Sequence, residues 1–323
     1  MVVWQYEHIR IVIQCEKREF PLVSCFIRGV LFMYTLENEF LRIKVREHGG
    51  ELREVLDRQD GTQYLWDGNP EYWQYSSPVL FPIVGRVKNN KYRYQGQEYE
   101  IPSHGIGRIS EYKLAGQTEN SITMALDYDE ETLKVYPFKF RLEITYRLEG
   151  KSVAVHWKVI NADDKEMYFS IGAHPALRCP IGGEGRFEDC YLDFPREEAS
   201  GAYDLAPGCL LKHTKQDFLQ GRTLPLNYDL FREDARIVDD LRSDTIMVRS
   251  AKTSKAVGIR AAGFPYWGIW SPSQGGAPFI CLEPWHGHAD YDDFEGEISE
   301  KEGIISLAAG KSFEAEYSIV IEG

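Results

Sequence analysis

The chain predicts an all-β sandwich, on three observations. Apolar and polar residues alternate with a period of two in segment after segment, turn dipeptides recur between those segments, and long amphipathic helices are nearly absent. The first clear alternation is Leu41-Arg42-Ile43-Lys44-Val45, and residues 142–148, 153–159 and 313–319 repeat it. Successive strand side chains point to opposite faces, so each such segment has one buried and one wet face. Glu149-Gly150-Lys151-Ser152 separates two of these segments and predicts a hairpin loop. Asp60-Gly61, Asp67-Gly68-Asn69-Pro70, Gly182-Gly183 and Gly275-Gly276 mark further turns. Short helices are expected only around 129–135 and 229–234.

No Pro- or Ser-rich linker, repeat or low-complexity tract divides residues 33–323, which are read as one domain of many strands. Residues 1–32 look different. The stretch 20–34 is apolar with Arg28 its only charge, but its uninterrupted apolar runs are too short to span a bilayer. A secretory signal opens on a basic region, whereas this chain opens with Glu7 and Arg10. The expectation is that 1–32 is an extension, either an add-on or a misplaced start, and that the functional domain begins near Met33.

Composition excludes several function classes. Hydrophobic residues make up 43% of 323, enough for a large core, and the formal net charge is -13. So acidic a surface repels phosphate backbones and anionic membranes, which argues against nucleic-acid and membrane partners. The six Cys contain no CxxC pair and no zinc-like spacing, which predicts reduced thiols in a cytoplasmic protein. The 19 Tyr, 16 Phe and 7 Trp suit an all-β protein and also a site that packs on sugar rings.

Three distant segments set ionisable groups among rigid or turn-forming residues: Ser103-His104-Gly105-Ile106-Gly107-Arg108, Gly172-Ala173-His174-Pro175 and Leu282-Glu283-Pro284-Trp285-His286-Gly287. Imidazole exchanges protons near neutral pH, a positioned carboxylate is its counterpart, and Gly and Pro fix the backbone that aims both. Glu283 ends the apolar run 279–282, where a carboxylate is costly unless used or paired. If the segments converge, the pocket moves protons on one small polar molecule. His8, His48, His156 and His213 lack such settings and are read as structural. His286, His288 and Asp290 superficially suggest a metal site, but none is expected there.

These motifs resemble the aldose 1-epimerase (galactose mutarotase-like) superfamily, most closely its LacX-like branch, over about 33–321. His48-Gly49-Gly50-Glu51-Leu52, Pro82-Ile83-Val84-Gly85-Arg86-Val87 and Pro265-Tyr266-Trp267-Gly268-Ile269-Trp270-Ser271 extend the likeness. The resemblance implies a β-supersandwich, a small-molecule sugar substrate and interconversion of α and β anomers. It implies Glu283 as general base, His174 as general acid, His104 on the sugar ring and Arg86 on sugar hydroxyls. Trp267, Trp270 or Trp285 then offers an apolar face to the sugar. The family commonly continues its first motif as His-Gly-Phe-Ala-Arg-Asp, whereas here Ile106-Gly107-Arg108-Ile109 follows His104-Gly105. Arg86 with Arg108 resembles the hexose-6-phosphate mutarotase branch, in which arginines hold the phosphate.

The chemistry stands on its own terms. A base takes the proton of the anomeric hydroxyl while an acid protonates the ring oxygen. The open aldehyde then rotates and recloses on its other face. One acid and one base suffice, so no metal or other cofactor is expected. In the working state an ionised Glu283 faces a protonated His174 across the width of a pyranose. Two rivals stand beside this reading. One is a non-catalytic carbohydrate-binding protein on the same scaffold. The other, a glycoside hydrolase, needs a second carboxylate, for which Asp239 and Asp240 are weak candidates.

Overall fold

The computed structural model describes residues 33–272, 274 and 276–323, and before them two short strands, Gln5–Tyr6 and Ile9–Arg10. The chain divides into two units, Met1–Leu31 and Phe32–Gly323. In the first, the two short strands pair antiparallel, with Tyr6 opposite Ile9. The rest of the segment 1–32, with its apolar stretch and Cys15 and Cys25, lies outside the described residues, as does Gly275 of one expected turn.

The second unit is built on antiparallel strands. Nine form one sheet in the order Leu210–Pro225, Cys190–Ala206, Thr245–Ser250, Thr253–Arg260, Ser312–Glu322, Ser152–Asn161, Phe140–Glu149, Ser121–Asp127 and Lys113–Gln117. A six-stranded sheet runs Arg236–Val238, Tyr266–Trp270, Phe279–His286, Ile171–Ala173 and Val79–Leu80, with Ala176–Arg178 also paired to Phe279–His286. A third sheet joins Met33–Glu37, Leu41–Arg46 and Leu52–Asp57. Each alternating segment of the sequence is a strand, and the parity holds: Leu41, Ile43 and Val45 are buried between half-buried neighbours. The expected hairpin closes on Glu149 opposite Ser152, with Gly150 supplying φ of 58° at the turn.

The helix expected at 129–135 runs Glu130–Val135, because Asp129 accepts the Thr132 N–H and Thr132 bonds back to the Asp129 backbone. The helix expected at 229–234 is only a 3-10 turn, Tyr228–Phe231. There Asn227 caps one turn, Asp234 takes φ of 140°, and a strand starts at Arg236, so no longer helix can close. Among the described residues no helix is long and apolar enough to cross a membrane.

Parity in one strand positions everything that follows. In Phe279–His286, Ile280 and Leu282 join the main core shared with Ile144, Val155 and Ile319 of the large sheet. Their neighbours Phe279, Cys281 and Trp285 pack instead in smaller clusters on the other face. Glu283 shares that second face, which is the floor of a cleft.

Candidate active site

The cleft has a volume of about 300 Å³, and His104, His174 and Glu283 all line it. That size suits one small ligand. Glu283 lies mid-strand, His174 directly follows the strand Ile171–Ala173, and His104 comes from a loop where it adopts φ of 64°. Next to it Gly105 has φ of 67°, and a Cβ there would sit 2.3 Å from the Phe81 carbonyl oxygen. Only glycine lets this loop press its backbone against residue 81.

Gly172 of the His174 motif and Gly268 of the segment 265–271 frame one indole. A Cβ on Gly172 would fall 2.4 Å from Trp285 Cδ1, and one on Gly268 would fall 2.6 Å from Trp285 Cζ2. Gly172 pairs with Trp285 in the sheet and Gly268 with Glu283, so the indole lies across two strands where side chains are missing. Its Nε1–H donates to the Ala173 carbonyl at 3.1 Å, which ties the histidine motif to the glutamate motif.

His174 Nε2 lies 3.2 Å from Glu283 Oε2. The contact is within ion-pair range but off the angle of a hydrogen bond, and Glu283 Oε2 and His174 Nδ1 are buried without a hydrogen-bond partner. The expected separation by the width of a pyranose is therefore corrected: His174 and Glu283 touch, because His174 immediately follows a strand paired to the one that carries Glu283. Burial pushes the His174 imidazole well below its ordinary value, with His104 and Arg108 adding to the effect. Burial, then the nearby Asp234 carboxylate, pushes Glu283 well above its ordinary value. Both shifts disfavour charge.

His104 has a defined tautomer. Its Nδ1 accepts the Gly85 N–H at 3.2 Å, which leaves the proton on Nε2. Burial, then Arg108 and Arg86, lowers its pKa to about 3, so it is a neutral donor.

Arg86 and Arg108 also line the cleft, and the Nε atom of each is buried without a partner. Arg108 donates to the Ser103 carbonyl at 3.0 Å and lies 5.0 Å from the Tyr75 ring centroid. Of the three tryptophans expected near a sugar, Trp270 and Trp285 line the cleft. Trp267 does not: it is an odd number of residues from Trp270, so it points to the opposite face and joins the main core.

Trp73, Asp234 and Cys209 line the cleft and were not among the expected site residues. The Trp73 ring stacks on the His174 imidazole, with centroids 4.6 Å apart and planes 29° apart. Its signal was the aromatic run Tyr72, Trp73, Tyr75 after a turn. Glu51 holds that loop: it is buried, accepts the Ser77 N–H at 3.0 Å and pairs with Arg46 and Arg53. Asp234 carried no signal in its polar run 232–236, and Cys209 none in the turn sequence Ala206-Pro207-Gly208 before it. The Cys209 thiol donates to Asp234 Oδ2 at 2.9 Å, and burial together with that carboxylate pushes it up to about 11.

The donors at 286–290 do not converge. His286 packs on Phe264, His288 hydrogen-bonds the Ala289 carbonyl through Nδ1 at 2.7 Å, and Asp290 pairs with Lys301 at 2.9 Å. Asp239 binds the Tyr203 hydroxyl and Lys215 and is not among the residues lining the cleft. One set of metal-ligand types does converge among the described residues: His174, Cys281 and Glu283 each place a donor atom within 4.8 Å of the others.

The aldose 1-epimerase family model matches residues 33–306. Protein LacX of Lactococcus lactis subsp. lactis is 34% identical over 295 residues, covering 88% of this chain and 98% of its own. A galactose mutarotase related enzyme from Lactobacillus acidophilus superposes with a TM-score of 0.86 at 33% identity, over 90% of this chain and 98% of that one. A galactose mutarotase-like protein from Lactobacillus casei gives 0.85 at 28% identity, over 90% and 100%. With its galactose mutarotase-like fold and its match across both histidine motifs and the glutamate strand, the chain belongs to the aldose 1-epimerase family, in its LacX-like branch.

Proposed function

We propose that the protein interconverts the α and β anomers of an aldose by acid–base opening and reclosure of the ring. The observation that carries this reading is the contact of His174 with Glu283 on the floor of a cleft also lined by Trp270, Trp285 and Arg86.

The contact suits the reaction. The anomeric hydroxyl and the ring oxygen share one carbon, so they are closer together than a hydrogen bond is long. An acid and a base that touch can reach both. Glu283 takes the proton of the anomeric hydroxyl as His174 gives one to the ring oxygen. The pair then holds its proton on the carboxyl, which is the arrangement that burial favours. Reclosure on either face returns it. The pair thus carries one proton throughout and passes it back and forth, with net proton exchange to solvent unnecessary. Each proton transfer contributes roughly two to four powers of ten in rate.

The remaining residues position the sugar. His104 donates its Nε2–H to the ring or to a hydroxyl as charge develops. Trp270 and Trp285 supply apolar surface to the C–H face of the ring. Arg86 donates to hydroxyls, and Asp234 accepts from one. The test is polarimetry on freshly dissolved single anomers. The protein should shorten the approach to equilibrium in proportion to its concentration, whereas a protein that binds sugar without that effect is the non-catalytic binder.

A second reading is a mutarotase for hexose 6-phosphates. It is favoured by Arg86 and Arg108, two guanidinium groups in one cleft whose buried Nε atoms lack partners in a protein of net charge -13. Arginine suits bidentate contact with phosphate. Preference for a phosphorylated over a free hexose in the same assay would select it.

A further inference from the structure

We propose that His174, Cys281 and Glu283 form a site for a thiophilic divalent ion, Zn²⁺ foremost, and that its occupancy switches the cleft off. The inhibitory half of this rests on the acid–base reading above; the binding half does not. Cys281 lies two residues before Glu283 on the strand Phe279–His286, so thiol and carboxylate share one face. His174 enters from the other side, between the strands Ile171–Ala173 and Ala176–Arg178, both of which pair with that strand.

An imidazole nitrogen, a thiolate and a carboxylate oxygen are all zinc ligands, and three protein ligands with one open position is the arrangement zinc adopts where it binds an exchangeable molecule. Bond lengths of about 2.0–2.3 Å put such donors about 3.3–3.8 Å apart around a tetrahedral ion. The His174–Glu283 approach of 3.2 Å is already close to that, and all three donor atoms lie within 4.8 Å of one another, so small side-chain rotations bring them onto one ion. The thiol and imidazole select against Mg²⁺ and Ca²⁺, which take oxygen ligands.

The surroundings favour an ion over bare side chains. Cys281 is 0% exposed, Glu283 1% and His174 7%, so a carboxylate here has little water to stabilise it. Glu283 Oε2 and His174 Nδ1 are both unpartnered, and coordination through Oε2 satisfies one of these outright. Stacking on Trp73 fixes the imidazole plane. On binding, the thiol proton and the single proton held by the His174–Glu283 pair both leave to solvent, and no electron moves. The fourth position faces the cleft and takes water or a sugar hydroxyl. The same imidazole and carboxylate cannot both hold the ion and shuttle a proton, so ion and turnover exclude each other.

The experiment titrates the full-length protein, first stripped with EDTA, with Co²⁺ and Zn²⁺. Co²⁺ should give a thiolate charge-transfer band in the near ultraviolet at one equivalent. Zn²⁺ should displace it and should inhibit anomer exchange reversibly, with EDTA restoring the rate. Cys281→Ser should lose the band, weaken Zn²⁺ inhibition more than about tenfold and keep the metal-free rate. Cys281→Ala is the companion variant should the serine disturb packing. Absence of the band in the wild type, or inhibition unchanged in both variants, overturns the proposal. A band in a protein that proves to have no epimerase activity supports the site and refutes only the functional reading.

Discussion

His174 and Glu283 touch, Nε2 to Oε2 at 3.2 Å, and neither is more than 7% exposed. Two groups so close titrate as a unit that holds one proton over its working range. Burial depresses the imidazole from its ordinary 6.5 and raises the carboxyl from its ordinary 4.5. The pair therefore takes up a second proton only below the ordinary histidine range and gives up its single proton only above the ordinary glutamate range. Anomer exchange against pH should be bell-shaped, with an acid limb below pH 6.5. Polarimetric rates across pH checks this, and an acid limb at or above the histidine value contradicts it.

Removing either partner should stop catalysis without unfolding the protein. Glu283→Gln and His174→Asn each delete one proton carrier and keep nearly the same volume. Each should lower the exchange rate by roughly two to four powers of ten. Circular dichroism and the melting temperature should remain near wild type. Wild-type rates in either variant would overturn the assigned roles.

Acid should destabilise the fold through buried imidazoles. Burial lowers His104 to about 3, and His286 and His288 to about 4, from 6.5. The unfolded chain therefore binds these protons first. The stability that depends on neutral histidines is complete above about pH 6.5 and is lost as pH falls through the folded values. Denaturant midpoints measured from pH 7 to 4 should fall steadily. A flat profile over that range would refute the assignment.

Arg86 is held from behind by a buried ion pair. The Asp290 N–H donates to the Arg86 carbonyl at 2.9 Å, and Asp290 Oδ2 accepts the Lys88 N–H at 2.8 Å. Its other oxygen meets Lys301 Nζ at 2.9 Å, and the two residues are 4% and 5% exposed. Lys301→Met should cost roughly 3–5 kcal/mol by leaving a buried carboxylate unpaired. Adding Asp290→Asn should recover part of that loss. Chemical denaturation of the two variants checks both statements.

A chain starting at Met33 should keep fold and activity: among the described residues, those that line the cleft and form the core clusters lie beyond it. Expression of that truncation followed by the polarimetric assay decides; an insoluble product contradicts it.

Strand parity made much of this legible beforehand. Ile43 and Val45 alternate with charged residues because one face of their sheet is wet, and that contrast is written in the residue types. The same contrast is missing from Phe279–His286, which is buried on both faces until its last residue, so nothing in its composition says which neighbours share the Glu283 face. Trp267 failed for that reason: in Tyr-Trp-Gly-Ile-Trp only the pairing register shows that Trp270 faces the cleft and Trp267 the core. His104, His174 and Glu283 stood out because glycine and proline beside an ionisable group signal a constrained backbone. Trp73 and Asp234 reach the cleft by tertiary routes, one through Glu51 and one through a 3-10 turn, and no local pattern encodes those paths.

The most direct test is NMR exchange spectroscopy on free and 6-phosphorylated aldoses, with wild-type protein beside Glu283→Gln. Cross-peaks between α and β anomers of at least one sugar should grow with wild-type protein and stay at the buffer rate with the variant. Exchange at the buffer rate for every sugar with wild-type protein, or equal acceleration by the variant, would contradict proton shuttling between His174 and Glu283.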